Sequence, residues 1–134
     1  MKKITLLIVL ACVQIASFAQ KGDEAILKEL EKNKDAYGVI AQQIWDYAEM
    51  GYLEEQSTAL LQKTLSDEGF AIKSGVAGIP TAFIAEYGSG APVVAILGEF
   101  DALPGLSQER VPEKKSAGKA AGHACGHHLF GTAS

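Results

Sequence analysis

Pro92-Val93-Val94-Ala95-Ile96-Leu97 is a continuous apolar run of strand length. Aliphatic residues fill both alternating faces, the pattern of a central strand buried on both sides. Directly after it, Gly98 to Gly122 is rich in Gly, Pro and charge and reads as a long loop. A loop of that length in a compact domain is commonly functional or mobile. Directly before it, Gly88-Ser89-Gly90 reads as a turn, and Ile79 to Tyr87 and Phe70 to Lys73 read as further strands. Farther upstream the apolar period lengthens. Ile26, Leu27, Leu30, Tyr37, Ile40, Ala41, Ile44, Trp45 and Ala48 recur at steps of three and four, which predicts a helix over Ala25 to Met50, bent or split at Gly38. Thr58, Leu61 and Leu65 begin a second amphipathic helix, with Gly69 where a helix C-terminal glycine belongs. The expected architecture is α/β, two helices packed on a mixed β-sheet.

The chain has 134 residues, enough for one domain, and is 48% hydrophobic and 21% charged. That composition excludes a disordered tail or a fibrous repeat. The net charge is −4 with no basic patch, which argues against a nucleic-acid partner. Lys2 and Lys3 precede an apolar stretch from Ile4 to Ala19 that closes on Ser17-Phe18-Ala19, the layout of a secretory signal peptide over residues 1–19. The expected location is periplasmic or cell-envelope, with no membrane attachment after cleavage. An uncleaved anchor, or a lipoprotein modified at Cys12, are the alternatives. Once Cys12 has left, Cys125 is the single cysteine and no intrachain disulfide can form. Leu129 to Ser134 is small and apolar, like the first turns of a helix that continues. Residues 20–134 are therefore expected to be the N-terminal part of a longer chain, a natural flexible C-terminus being the alternative.

Gly122-His123-Ala124-Cys125-Gly126-His127-His128 holds all three histidines beside that cysteine. Imidazole and thiolate are preferred ligands for zinc and similar ions. On a helix, Cys125 and His127 would diverge by about 200°. In a glycine-bearing turn they can converge. Two ligands do not hold zinc, so others must come from elsewhere. A thiol nucleophile at Cys125, a buried inert cysteine, or an accidental cluster are the competing readings. The second cluster is Gly98-Glu99-Phe100-Asp101-Ala102-Leu103-Pro104-Gly105, past the carboxyl end of the expected central strand, where open α/β sheets bind ligands.

Gly98 to Gln108, with Asp101-Ala102-Leu103-Pro104, followed by Gly122 to Gly131, with His123-Ala124-Cys125-Gly126-His127, resembles the co-catalytic metal amidohydrolases. Within that family of aminoacylase, carboxypeptidase G and indole-acetyl-amino-acid hydrolase kin, it is similar to the branch that holds the aminobenzoyl-glutamate hydrolase B-subunit. Glu49-Met50-Gly51-Tyr52-Leu53-Glu54-Glu55 also resembles the family's first helix exit. The resemblance covers nearly all of the chain after the signal peptide and implies the N-terminal part of a metallopeptidase-like catalytic domain.

Carried over by position, Cys125 and His127 match two metal ligands, and Asp101 matches a supporting catalytic carboxylate. Glu99 stands where relatives carry a ligand histidine, and His128 where many carry Asp or Asn. The general-base Glu and the remaining ligands have no counterpart before Ser134. The resemblance implies a divalent metal, zinc or manganese, with two ions in a full-length protein and a homodimer through a downstream domain. The implied reaction is hydrolysis of an N-acyl or N-aroyl amino acid such as aminobenzoyl-glutamate, with the metal activating water and a downstream Glu moving its proton. Residues 1–134 alone are expected to be inactive. Two other classes compete: an exported, non-catalytic metal-binding or interaction module, and a thiol hydrolase using Cys125.

Overall fold

In the computed structural model residues 2–134 are described, with side chains from residue 23 onward. The expected signal peptide therefore lies outside the residues whose side chains are described. Helix α1 spans Lys2–Tyr47. No helix among the described residues is long and apolar enough to cross a membrane. The chain divides into two units, Met1–Ala36 and Tyr37–Ser134. In the first, Ile26, Leu27 and Leu30 are exposed. The surface there carries short-range pairs, Glu29 with Lys32 at 3.1 Å and Glu31 with Lys34. Such fully solvated pairs three residues apart are screened and add little to the helix.

In the second unit the predicted stripe does bury. Ala41 and Ile44 are among the least exposed residues of the chain. The helix stops where Ala48 turns left-handed (φ 49), its amide closing on Ile44 O at 3.1 Å. Helix α2, Glu55–Asp67, follows after a short turn and buries Ser57, Thr58 and Leu61. Its exit is a Schellman arrangement. Gly69 at φ 91 donates to Ser66 O at 3.0 Å, and Phe70 donates to Leu65 O at 3.0 Å. The sequence placed that glycine correctly.

Strand β1, Ala71–Ser74, pairs antiparallel with β2, Phe83–Glu86, with Ile72 opposite Ala85 and Lys73 opposite Ile84. Helix α2 lies against this hairpin. Thr58 Oγ1 donates to Thr81 O at 2.7 Å, and Thr81 Oγ1 donates to the Glu54 carboxylate at 2.7 Å, both in buried surroundings. The second pair of strands is short. β3, Leu103–Pro104, runs antiparallel to β4, Ala121–Gly122, and a lone parallel bridge joins Met50 to Ala102. Helix α3, His127–Ala133, closes the chain.

The class is mixed α/β, as expected, but the single mixed sheet is not what forms. The described residues carry two separate two-stranded antiparallel sheets. The expected central strand is the reason. Residues 92–97 pair with nothing in the described chain and form no strand. Val93, Val94, Ile96 and Leu97 are 74–85% exposed. Apolarity on both faces marks a segment fit for a central strand, but a strand exists only where neighbours take its hydrogen bonds.

Candidate metal centre

The functional cluster is assembled by three segments that meet at the exit of α1. Residues 98–102 run past that exit, and Ala102 is fixed there, its amide donating to Glu49 O at 2.7 Å. β4 returns beside β3, and Gly105 N donates to Ala120 O at 2.7 Å. The fit is close at Gly122, where an added Cβ would fall 2.3 Å from Leu106 O. From there the chain turns through left-handed Gly126 into α3, so that His127 opens the helix. Gly131 lets α3 settle on residues 99–100, since a Cβ there would meet Phe100 Cβ at 2.7 Å and Glu99 O at 3.0 Å.

This packing brings Asp101 and His127 together. His127 Nδ1 donates to Asp101 Oδ1 at 2.7 Å, while Nε2 lies 3.3 Å from Glu99 Oε2. One donor atom from each of Glu99, Asp101 and His127 falls within 4.8 Å of the others. The two carboxylates thus converge on one imidazole. The donor set fits a divalent cation. With Nδ1–H given to Asp101, Nε2 is left facing the Glu99 carboxylate, and a divalent cation placed between them would be met by a ring nitrogen and a carboxylate oxygen. Cys125 is exposed, in the turn before α3, and is not part of this group.

His123 and His128 lie on the buried side of the same loop, against Trp45. The rings of His128 and Trp45 meet edge to face with centroids 4.9 Å apart, and those of His123 and His128 are 5.1 Å apart. His123 Nε2 donates to Ile44 O at 3.0 Å, which assigns its neutral tautomer and leaves Nδ1 bare. Neither His123 Nδ1 nor His128 Nδ1 has a hydrogen-bond partner among the described residues. Burial holds both imidazoles below the ordinary histidine range, the neighbouring ring of the cluster adding to the effect on His128.

The long loop expected over 98–122 is tied down. Arg110 pairs with the Asp46 carboxylate, and Lys119 Nζ donates to Asp46 O at 2.6 Å. Gln108 bridges the loop internally, donating to Glu113 O at 2.8 Å and accepting from Lys115 N at 3.0 Å. Between this loop and the end of α1 lies an open cleft of about 420 Å³, lined by Trp45, Asp46, Ser107, Arg110 and Lys119 among others.

Sequence reasoning noticed Glu49 only as part of a helix-exit resemblance. Its carboxylate accepts from Gln56 N at 2.9 Å and from Ser57 N and Ser57 Oγ at 2.8 Å each. It serves the α2 N-terminus that Glu54, in the capping position, leaves unserved. Partial burial alone would push its carboxyl up, but the bonds from Ser57 and Gln56 together outweigh this and hold it below the usual carboxylate range. A capping residue ordinarily sits just before its helix. This one comes from the preceding turn, so no local signal marks it.

No family model matches the chain. Three curated proteins align with most of it. It is 45% identical over 107 residues to the p-aminobenzoyl-glutamate hydrolase B-subunit of Escherichia coli (strain K12), covering 78% of this chain and 22% of that protein. It is 32% identical over 106 residues to thermostable carboxypeptidase 1 of Saccharolobus solfataricus, 78% of this chain and 26% of that one. It is 31% identical over 113 residues to the Xaa-Arg dipeptidase of Mus musculus, 77% of this chain and 23% of that one. The chain thus spans about a quarter or less of each relative's length.

Proposed function

The chain is a relative of amide-bond hydrolases and peptidases of the aminobenzoyl-glutamate hydrolase and carboxypeptidase kind, and from that kinship we propose that it supplies part of a metal-dependent amidohydrolase centre. The observation that carries the reading is the convergence of Asp101 and Glu99 on the two nitrogens of His127. The substrate class we assign is an N-acyl or N-aroyl amino acid, aminobenzoyl-glutamate or a close analogue. A bound divalent ion, zinc or manganese, would polarise the scissile carbonyl and lower the pKa of a water.

The chain's own residues do the rest of what falls to this segment. Asp101 accepts a hydrogen bond from His127 Nδ1, which fixes the ring's orientation and would leave Nε2 to hold the ion. Glu99 offers a carboxylate oxygen on the Nε2 side. Cys125, one residue before Gly126, would be a further ligand as thiolate, holding the ion without attacking substrate, were the turn to bring it beside His127. The general base and the specificity pocket belong to sequence beyond these residues, as does a dimer interface. Export through residues 1–19 completes the proposal. Protein from the cell envelope should begin at Gln20 on N-terminal sequencing, and a cytosolic product that retains Met1 would remove that part.

The deciding experiment uses the polypeptide as the cell makes it. Metal content and the rate of aminobenzoyl-glutamate hydrolysis are measured for H127A, D101N and C125S. Loss of metal and rate together in H127A, with D101N costing about 10- to 100-fold in metal affinity or rate, supports the centre. Unchanged metal and rate in H127A overturn it. Full metal and rate in C125S alone remove the cysteine from the ligand set and leave the centre standing.

A further inference from the structure

We propose that Glu49 is a positioning residue for the Asp101–His127 pair, an inference that rests on reading that pair as part of the metal centre. The turn that ends α1 is strained at two non-glycine positions, Ala48 (φ 49) and Tyr52 (φ 68). Left-handed backbone at such residues persists only where the surroundings over-determine it. Glu49 supplies that determination from both of its ends. Its carboxylate takes Gln56 N, Ser57 N and Ser57 Oγ at 2.8–2.9 Å, with Gln56 Nε2 at 3.3 Å, and so locks the turn to the N-terminus of α2. Its carbonyl accepts from Ala102 N at 2.7 Å, next to the parallel bridge between Met50 and Ala102.

Ala102 is 2% exposed, so its amide has no water to fall back on. The peptide that carries this amide is also the one that carries Asp101. Fixing it fixes the direction in which the Asp101 side chain leaves the backbone. That side chain then holds His127 Nδ1 at 2.7 Å. The path is short and continuous: α2 N-terminus, Glu49 carboxylate, Glu49 carbonyl, Ala102 amide, Asp101 carboxylate, His127 ring. Among the described residues, this amide bond and the Met50–Ala102 bridge it belongs to are what tie residues 98–102 to the exit of α1.

A cap that only stabilised α2 would lower the melting temperature when lost and leave the imidazole as it was. The tautomer of His127 separates the two roles. In the metal-stripped full chain, ring nitrogen NMR should show His127 in the Nδ1–H form dictated by Asp101. D101A, which leaves no acceptor for Nδ1–H, sets the value for full loss. E49Q keeps the volume but turns an NH2 group toward N–H donors. It should shift His127 toward a mixture of tautomers, and E49A should shift it further. E49D, which keeps both oxygens, should recover part of the wild-type signal.

With zinc restored, E49Q should raise the zinc Kd about 10-fold, the lower end of what loss of an outer-shell partner costs. It should add nothing further in the D101N background. Folded E49Q with the wild-type His127 signal overturns the proposal, and E49Q decides alone should E49A fail to fold. If D101N leaves zinc affinity unchanged, the metal reading fails, while the tautomer measurement still judges Glu49.

Discussion

Residues 92–97 and residues 98–102 are adjacent in sequence and opposite in circumstance. The first run is the most apolar after residue 23, yet its large side chains stand in solvent and its backbone pairs with nothing described. The second contains a glutamate and an aspartate, yet Ala102 is buried and bonded and Asp101 holds a histidine. Apolarity therefore does not order this part of the chain. Order comes from polar groups with assigned partners, supplied by the exit of α1 and by α3. The candidate centre is held from the helix side, and the segment expected to carry it as a buried strand contributes no contact of that kind.

The widest contrast between the two regions should appear on substitution at Gly122. A Cβ there would press on Leu106 O and on Ser107 Cα at 2.8 Å, both backbone atoms that cannot rotate away. G122A should therefore cost about 3 kcal/mol, the upper end of ordinary overpacking, by separating β3 from β4. Urea unfolding of the 134-residue chain measures this, and a loss under 1 kcal/mol would show that the strand pair is loosely set.

What could be read beforehand follows the same division. Local rules were sufficient for α2 and the glycine at its exit, Gly69, and for the strands near 71–74 and 83–86, whereas the roles expected of Asp101 and His127 came from the family resemblance. They failed where a distant partner decides. The run at 92–97 carries the pattern of a buried strand, but pattern cannot supply neighbours. Glu49 carries no local capping signal, since it reaches α2 from the turn before it. His123 and His128 read only as histidines near a cysteine, and their packing on Trp45 depends on a helix about eighty residues upstream.

A smaller effect is expected at the α2 cap. S57A removes the hydroxyl that donates to Glu49 at 2.8 Å and keeps the backbone donor. A hydrogen bond to a charged group contributes about 1.5–3 kcal/mol, and the retained amide bond argues for the lower figure. The pH profile should carry the same signature. Glu49 has a carboxyl lowered in the folded state, so its contribution is present above the ordinary carboxylate value of 4.5 and is lost as pH falls through its folded value. S57A should flatten that acid limb, and an unchanged limb would detach Glu49 from it.

Smaller again is the effect of the buried histidines. His123 and His128 are held neutral by burial, with ordinary values of 6.5. The unfolded chain then binds more protons than the folded one just below that pH. Stability of the metal-stripped chain should decline gently as pH falls below 6.5 and level off below the folded values. H128F, which keeps the aromatic contact with Trp45, should remove part of this slope in melts taken between about pH 5 and pH 8, a range set by where histidine changes charge. A slope indifferent to H128F would mean that His128 is protonated alike in both states.

The smallest effect belongs to the exposed run, and it tests the comparison most directly. Val94 is 83% exposed, so V94S removes apolar surface that water already covers. Substitutions at such positions usually stay within about 0.5 kcal/mol. V94S should therefore leave the urea midpoint of the 134-residue chain nearly unchanged. Amides of residues 93–97 should exchange with solvent at rates close to those of an unstructured peptide, while the Ala102 amide, bonded to Glu49 O and buried, should be protected. The two measurements stand or fall together. A destabilisation above about 1 kcal/mol with protected amides at 93–97 would mean that this run finds strand neighbours in solution. The boundary between order by polar contact and exposed apolar chain would then have to move upstream of residue 92.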